Sequence, residues 1–304
     1  MKANRRVFLK SVGLLSSIGF LPARSAFAAL FDQDQAWKMK VLRNNVGVFT
    51  ERGGTIGWMI SKDGIVIIDT QFPDQANHLI EEIKQQSDKA IDLLMNTHHH
   101  GDHTAGNIAF KGFAKKIVAH ENSKKFQMLT AKNNGNEENQ LYPDTTFKND
   151  WSDKVGDESI KAYNFGPAHT SGDSVIHFEN ANIAHMGDLI FNRRFPYIDT
   201  AAGSDINNWI LTLEKVRAKF DKETIFIFGH SLDPDAITGD AEDLKAMENY
   251  LSKLLVYVEK NMKAGKSQEE LLRTESIPGA EEWKGQGIGW SIKAAWTELN
   301  TKNI

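Results

Sequence analysis

Past residue 45 the chain switches repeatedly between two hydrophobic periods, and each switch marks an element. Val46 to Thr50 and Gly57 to Ser61 read as strands, and a Lys62-Asp63-Gly64 turn leads into Ile65 to Asp69 (IVIID). The unbroken apolar run there predicts a strand covered on both faces. Pro73 and Asp74 open a helix to about Gln86, with Leu79, Ile80 and Ile83 on one side. Ile91 to Met95 and Lys116 to Ala119 read as further strands and Glu121 to Ala131 as a helix, while the polar run Asn133 to Gln140 has no apolar period and reads as a mobile surface loop. From Ser159 to Leu189 the pattern is β-rich, with strands near Ile160 to Phe165, Ser174 to Phe178 and Ile183 to Met186. Helices at Ile206 to Phe220 and Ala241 to Met262 flank the strand Thr224 to Phe228, and helical segments around Ser267 to Arg273 and Ser291 to Leu299 close the chain. Leu251, Leu254, Leu255 and Val258 form the buried stripe of the long helix. Two halves, each of strands followed by helices, predict an α/β protein built as an αβ/βα sandwich of four layers, with a helical extension from about residue 240.

The first 28 residues obey neither period. Arg5 and Arg6 precede Phe8, Leu9 and Lys10, a weakly apolar stretch runs from Val12 to Leu21, and Ala26-Phe27-Ala28 supplies small residues for a signal peptidase. The stretch is too short to span a bilayer. The paired arginines resemble a twin-arginine export signal, which implies passage of a folded protein through that export machinery, a periplasmic destination and no stable membrane anchor after cleavage. Cleavage after Ala28 removes five basic residues and no acidic one, so the formal charge moves from −4 to −9. Such an acidic protein is a poor partner for nucleic acid or an anionic membrane surface. The remaining chain is long enough to bury a large core as one domain spanning 29–304. It contains no cysteine, so no disulfide braces it and any metal site must use histidine and carboxylate.

The chemistry concentrates where the strand Ile91 to Met95 ends. Thr97-His-His-His-Gly-Asp-His-Thr-Ala-Gly106 holds four of the ten histidines. In an extended loop His98 and His100 alternate and face one side; Gly101 then allows a turn that brings Asp102 and His103 toward the same cavity. The spacing offers two histidines to one metal and an aspartate with a histidine to a neighbour. One loop cannot complete two sites, and three later strands each end beside a glycine and a further donor: His169 in Gly166-Pro-Ala-His-Thr-Ser-Gly-Asp173, Asp188 in His185-Met-Gly-Asp188, and His230 in Ile227-Phe-Gly-His230. Two divalent ions close together would lower the pKa of a shared water toward neutrality, giving a hydroxide that attacks a carbonyl. Asp102 then has a second role, as catalytic acid and base.

The ordered set HxHxDH, histidine, aspartate, histidine resembles the metallo-β-lactamase superfamily from about Val46 to His230. That resemblance implies a dinuclear site for two zinc ions, with iron or manganese as other occupants. His98, His100 and His169 would hold the first ion, Asp102, His103 and His230 the second, and Asp188 would bridge them. Without cysteine the set departs from the subclasses of β-lactamase that ligate through cysteine, and Asp188 makes it more similar to glyoxalase II, the lactonases and the alkylsulfatases. The expectation is a hydrolase of a small-molecule ester, thioester or lactone, with β-lactam hydrolysis as the alternative. A mononuclear iron persulfide dioxygenase, needing only the first three histidines, is a further alternative. The oligomeric state has no signature in the pattern.

Other residues carry weaker expectations. Asp69 either accepts a hydrogen bond from a ligand histidine or caps the following turn. Arg193 and Arg194 either meet an anionic substrate or are solvated. His177 and His185 fit core positions, His99 should turn away from the metals, and His78 and His120 have no evident partner. Trp58 and Phe72 line the cleft mouth or pack in the core.

Overall fold

A computed structural model describes residues 37–302; the expected export signal lies outside them. The strands are β1 (Lys38–Arg43), β2 (Val46–Thr50), β3 (Ile56–Ile60), β4 (Ile65–Ile68), β5 (Leu93–Asn96), β6 (Ile117–His120), β7 (Thr145–Phe147), β8 (Asp150–Val155), β9 (Glu158–Tyr163), β10 (Val175–Phe178), β11 (Ile183–His185), β12 (Phe191–Asn192), β13 (Ile225–Ile227), β14 (His230–Ser231) and β15 (Thr238–Gly239). The first seven form one sheet in chain order, a second sheet runs β15-β13-β11-β10-β9-β8, and β12 pairs with β14 alone. The helices are α1 (Pro73–Gln86), α2 (Gly101–Thr104), α3 (Glu121–Asn134), α4 (Ile206–Lys219), α5 (Ala241–Lys263), α6 (Gln268–Leu271) and α7 (Ile288–Lys302).

Strand alternation sorts the apolar residues into layers. Val66, Ile68, Leu93 and Met95 of the first sheet meet Ile176, Phe178, Ile183 and Ile227 of the second in one buried cluster. Their neighbours Ile65, Ile67 and Leu94 point the other way, onto Ala76, Leu79 and Ile83 of α1. On the far side Val175, Ala184 and Phe226 pack against Trp209 and Leu213 of α4, Leu251 and Leu254 of α5 and Ile292 of α7. The order is therefore helix, sheet, sheet, helix, and strands covered on both faces explain the continuous run IVIID.

The parallel pairings β4–β5, β5–β6 and β11–β13 fix the site, because they bring the carboxyl ends of several strands to one edge. Asp69 follows β4, the histidine loop follows β5, Asp188 follows β11, and Gly229-His230 follows β13. Main-chain bonds join the two sheets there: Thr55 N–H donates to Gly229 O at 2.9 Å and Ser174 N–H to Thr97 O at 2.8 Å.

Besides the two-residue strands β12, β14 and β15, three strands escape the hydrophobic pattern. The edge strand β1 and the strands β7 and β8 carry polar residues with only partial burial, so no clean alternation announces them. The run 133–140 is also more regular than a mobile loop. It contains the last two residues of α3, a left-handed cap at Gly135 (φ 64°) bonding back to Ala131 and Lys132, and a hydrogen-bonded turn at Glu137–Asn139. Polar side chains are compatible with helix ends, and a C-terminal glycine caps them. Among the described residues no helix is long and apolar enough to cross a membrane.

Trp209 is fully buried and its Nε1–H donates to Leu189 O at 3.0 Å, beside Asp188. Trp209→Ala should lower unfolding free energy by about 3–5 kcal/mol in urea denaturation, with Trp209→Phe losing less; an unchanged midpoint for the alanine variant would show that this contact does not carry the packing ascribed to it.

Candidate metal centre

The motif loop leaves β5 in extended backbone, His100 having φ −63° and ψ 146°, and then coils into α2. His98 Nε2 and His169 Nε2 come to 3.1 and 3.0 Å from His100 Nδ1. Asp102 Oδ2 lies 3.1 Å from His230 Nε2 and 3.9 Å from His103 Nε2. Asp188 stands between these groups: Oδ2 is 3.7 Å from His98, 3.6 Å from His169 and 3.4 Å from His230, while Oδ1 is 3.0 Å from His103 Nε2. All seven expected donors thus lie at one sheet edge.

Hydrogen bonds behind the rings decide which nitrogen faces inward. Asp69 Oδ2 accepts from His103 Nδ1 at 2.8 Å and from Thr97 Oγ1 at 2.7 Å, and Thr97 Oγ1 lies 3.0 Å from His98 Nδ1. With its own hydrogen committed to Asp69, the Thr97 hydroxyl can only accept from His98. Asp69 Oδ1 also takes the Thr97 N–H at 2.8 Å. His169 Nδ1 donates to Tyr197 O at 2.8 Å, and His100 Nε2 donates to Asp199 Oδ2 at 3.0 Å. His98, His100 and His169 therefore spend their protons outward and present lone pairs inward, and His103, anchored through Nδ1, turns Nε2 inward.

That convergence fits a cation. His103 Nε2 and Asp188 Oδ1 are buried, adjacent and yet have no hydrogen-bond partner, and the three nitrogens around His100 face one another without protons to share. Nitrogen and carboxylate donors suit zinc and similar divalent ions. Titration follows the same geometry. Burial, joined by neighbouring imidazoles, pushes His98 well below the ordinary histidine range and His169 down to about 3. At His230 burial opposes the charged form, but Asp188 and Asp102 outweigh it and push the ring up to about 9. His103 is likewise raised, against burial, chiefly by Asp188 and Asp102. Burial would raise both carboxyls, yet His103 and His230 hold Asp102 at about 2, and His230 and His103 hold Asp188 well below the carboxylate range. Two imidazolium protons thus occupy the part of the centre where a metal charge fits.

Close approach makes two glycines necessary. A Cβ at Gly229 would overlap Asp188 Oδ1, and one at Gly54 would overlap the His103 ring. Gly101 is different from expectation: its φ is not positive, a Cβ there would meet nothing, and the turn is made by ordinary helical backbone.

The weaker expectations divide. Asp69 is fully buried and bonds to His103, as one of its two readings requires. Arg193 does not face the centre; its guanidinium stacks on Trp283 at 5.0 Å and meets Asp243 at 3.6 Å. Arg194 is exposed and joins the C-terminal segment through a backbone bridge to Lys284. His99 packs on Phe126 and leans toward Asp199. His78 and His120 do have partners: His78 Nδ1 pairs with Glu51 at 2.8 Å, and His120 caps α3 while bonding Lys148 O at 2.7 Å. His185 is buried against Thr55 O. His177 is only partly buried, edge-on to Phe220 at 4.7 Å. Trp58 is in the core, and Phe72 is half-buried beneath Arg52. Asp199, Thr97 and Tyr197 escape a reading of the sequence alone. Asp199 lies far along the chain in a segment without period, so only folding reveals that it orients His100.

The family profile described as the Metallo-beta-lactamase superfamily matches residues 50–230, and the chain belongs to that superfamily. It is similar to a protein named Metallo-beta-lactamase type 2 from Elizabethkingia meningoseptica, 22% identical over 232 residues that cover 73% of this chain and 87% of that protein. It is also similar to Metallo-beta-lactamase IND-1 of Chryseobacterium indologenes, 24% identical over 177 residues, covering 57% and 70%. Among solved structures, a metallo-beta-lactamase from Pontibacter korlensis superposes with TM-score 0.57 at 20% identity, covering 71% of this chain and 99% of that one. A variant of the sec-alkyl sulfatase PisA1 gives 0.69 at 13% identity, covering 86% and 50%. The structural likenesses show the shared fold. The chain is thus a metallo-beta-lactamase superfamily hydrolase with a candidate histidine and aspartate metal centre.

Replacing either orienting carboxylate should weaken zinc binding by about 10–100-fold in competition with a chromophoric chelator. Asp69→Asn should loosen His98 and His103 together, and Asp199→Asn should loosen His100. Equal, wild-type affinity in both variants would contradict the tautomer assignment.

Proposed function

We propose that the chain is a dinuclear zinc hydrolase acting on an ester, thioester or lactone carbonyl. The reading rests on Asp188, whose two oxygens reach both histidine groups from a buried position. His98, His100 and His169 would hold one ion, Asp102, His103 and His230 the other, with Asp188 between them. Bound divalent ions supply a water of lowered pKa and a Lewis acid for the carbonyl oxygen. The protein's own part is to keep ring protons out of the centre, through Asp69, Thr97, Tyr197 and Asp199, and to move a proton to the leaving group. Asp102 suits that proton transfer, because its side chain is 31% exposed, against 4% for Asp188, 11% for Asp199 and 0% for Asp69, and His230 Nε2 is within reach. We further propose export to the periplasm by the twin-arginine route, on the strength of Arg5, Arg6 and the Ala26-Phe27-Ala28 site.

A second reading, β-lactam hydrolysis, draws support from the names of the relatives in Elizabethkingia and Chryseobacterium. The absence of cysteine from the chain and the place of Asp188 favour the first. A zinc titration of the full chain against thioester, ester and lactone substrates, with nitrocefin alongside, separates them. The expected result is turnover of a carbonyl ester or lactone that reaches its maximum at two equivalents of zinc and falls at least about a hundredfold in Asp188→Ala, as loss of metal requires. Rapid nitrocefin turnover with silent esters would replace the first reading with the second.

A further inference from the structure

All seven tryptophans and all five tyrosines fall within the described residues, and only one of each is exposed: Trp290 at 57% and Tyr197 at 43%. These two touch, edge to face, with ring centres 5.8 Å apart. The pair is not remote from the chemistry. Tyr197 lies 5.5 Å from the His100 ring and 6.4 Å from the His169 ring, and its own carbonyl holds His169 in place.

We infer that Tyr197 and Trp290 form the apolar wall of the substrate cleft on the flank of His98, His100 and His169, so that the substrate carries a flat apolar group, such as an aryl ring, next to its scissile carbonyl. This rests on the hydrolase reading above and narrows its substrate class. Single exposed apolar side chains need no explanation, but two large rings that share a contact beside a reactive centre form a platform. Aromatic rings gain most from an apolar, planar partner, through burial and through offset or edge-on ring contacts.

The wall is also held rigid, as a specificity surface should be. Ser291, the neighbour of Trp290, is fully buried and its hydroxyl donates to Pro196 O at 2.8 Å, next to Tyr197. Phe195 N–H donates to Lys284 O at 3.2 Å, and Lys284 N–H to Arg193 O at 2.9 Å. Two residues beyond Tyr197, Asp199 bonds His100 and caps its own turn through Ala202 N–H at 3.0 Å. The C-terminal helix α7 therefore delivers Trp290 to Tyr197, beside the centre, although it contributes no donor to the histidine groups.

The test uses the zinc-loaded full chain and Trp290→Ala, with Trp290→Phe as the conservative control. One readout is substrate preference: phenylacetyl against acetyl thioesters of one thiol, and benzyl against methyl esters of one acid. Comparing variant with wild type cancels intrinsic reactivity. The expected result is a loss of aryl preference of about tenfold on one of the two sides, expressed in KM, and its recovery in Trp290→Phe. A second readout is calorimetric affinity for 2-naphthoate, a ligand that is not hydrolysed, expected to fall by a similar factor. If no substrate of the panel is turned over, the hydrolase reading fails while naphthoate still judges the wall. Unchanged naphthoate affinity with unchanged aryl preference would overturn the inference. So would a change confined to sedimentation, with a dimer of the wild type becoming monomeric in Trp290→Ala, because the pair would then be a contact between copies.

Discussion

The structure depends on an arrangement that is unfavourable alone: the imidazoles of His98, His100 and His169 aim unprotonated nitrogens at one another, and His103 turns its Nε2 toward a buried aspartate whose Oδ1 has no hydrogen-bond partner. Nothing in the apolar packing requires it. It persists because each ring is held from behind, His103 directly and His98 through Thr97 by Asp69, His100 by Asp199 and His169 by a main-chain carbonyl. A divalent cation removes the repulsion and replaces the protons that His103 and His230 otherwise keep. Metal binding and local stability are then the same free energy.

Such a cluster needs a rigid frame, and the four layers supply one. The motif loop and Asp188 follow the carboxyl ends of β5 and β11, whose side chains are buried on both faces, so their backbone cannot drift without opening a core. The sheets are tied at this edge by Thr55 to Gly229 and Ser174 to Thr97. Glycine at 54 and 229 lets backbone approach the His103 ring and Asp188 where any side chain would intrude.

Much of this was legible in residue order. Strands buried on both faces give long apolar runs such as IVIID, the amphipathic helices follow their period, and the donors from one loop are adjacent in sequence. His169, Asp188 and His230 were readable because each follows a strand at a glycine. What was not legible has physical causes. The strands β1, β7 and β8 bury too little to alternate cleanly. Gly101 looked necessary only because glycine in a turn commonly is; here the backbone is helical. Asp199 sits in an aperiodic stretch, and its bond to His100 spans 99 positions. The partners of His78 and His120, and the engagement of Arg193 by Trp283 and Asp243, are likewise products of tertiary structure.

In the proposed dinuclear centre Asp188 stands between two metal positions. The most direct measurement is anomalous X-ray diffraction at the zinc edge from crystals of the zinc-loaded chain. Two peaks should flank the Asp188 carboxylate, one among His98, His100 and His169 and one among Asp102, His103 and His230. A single peak, or a peak at His99, His100 and Asp199 in place of one of these, would contradict it.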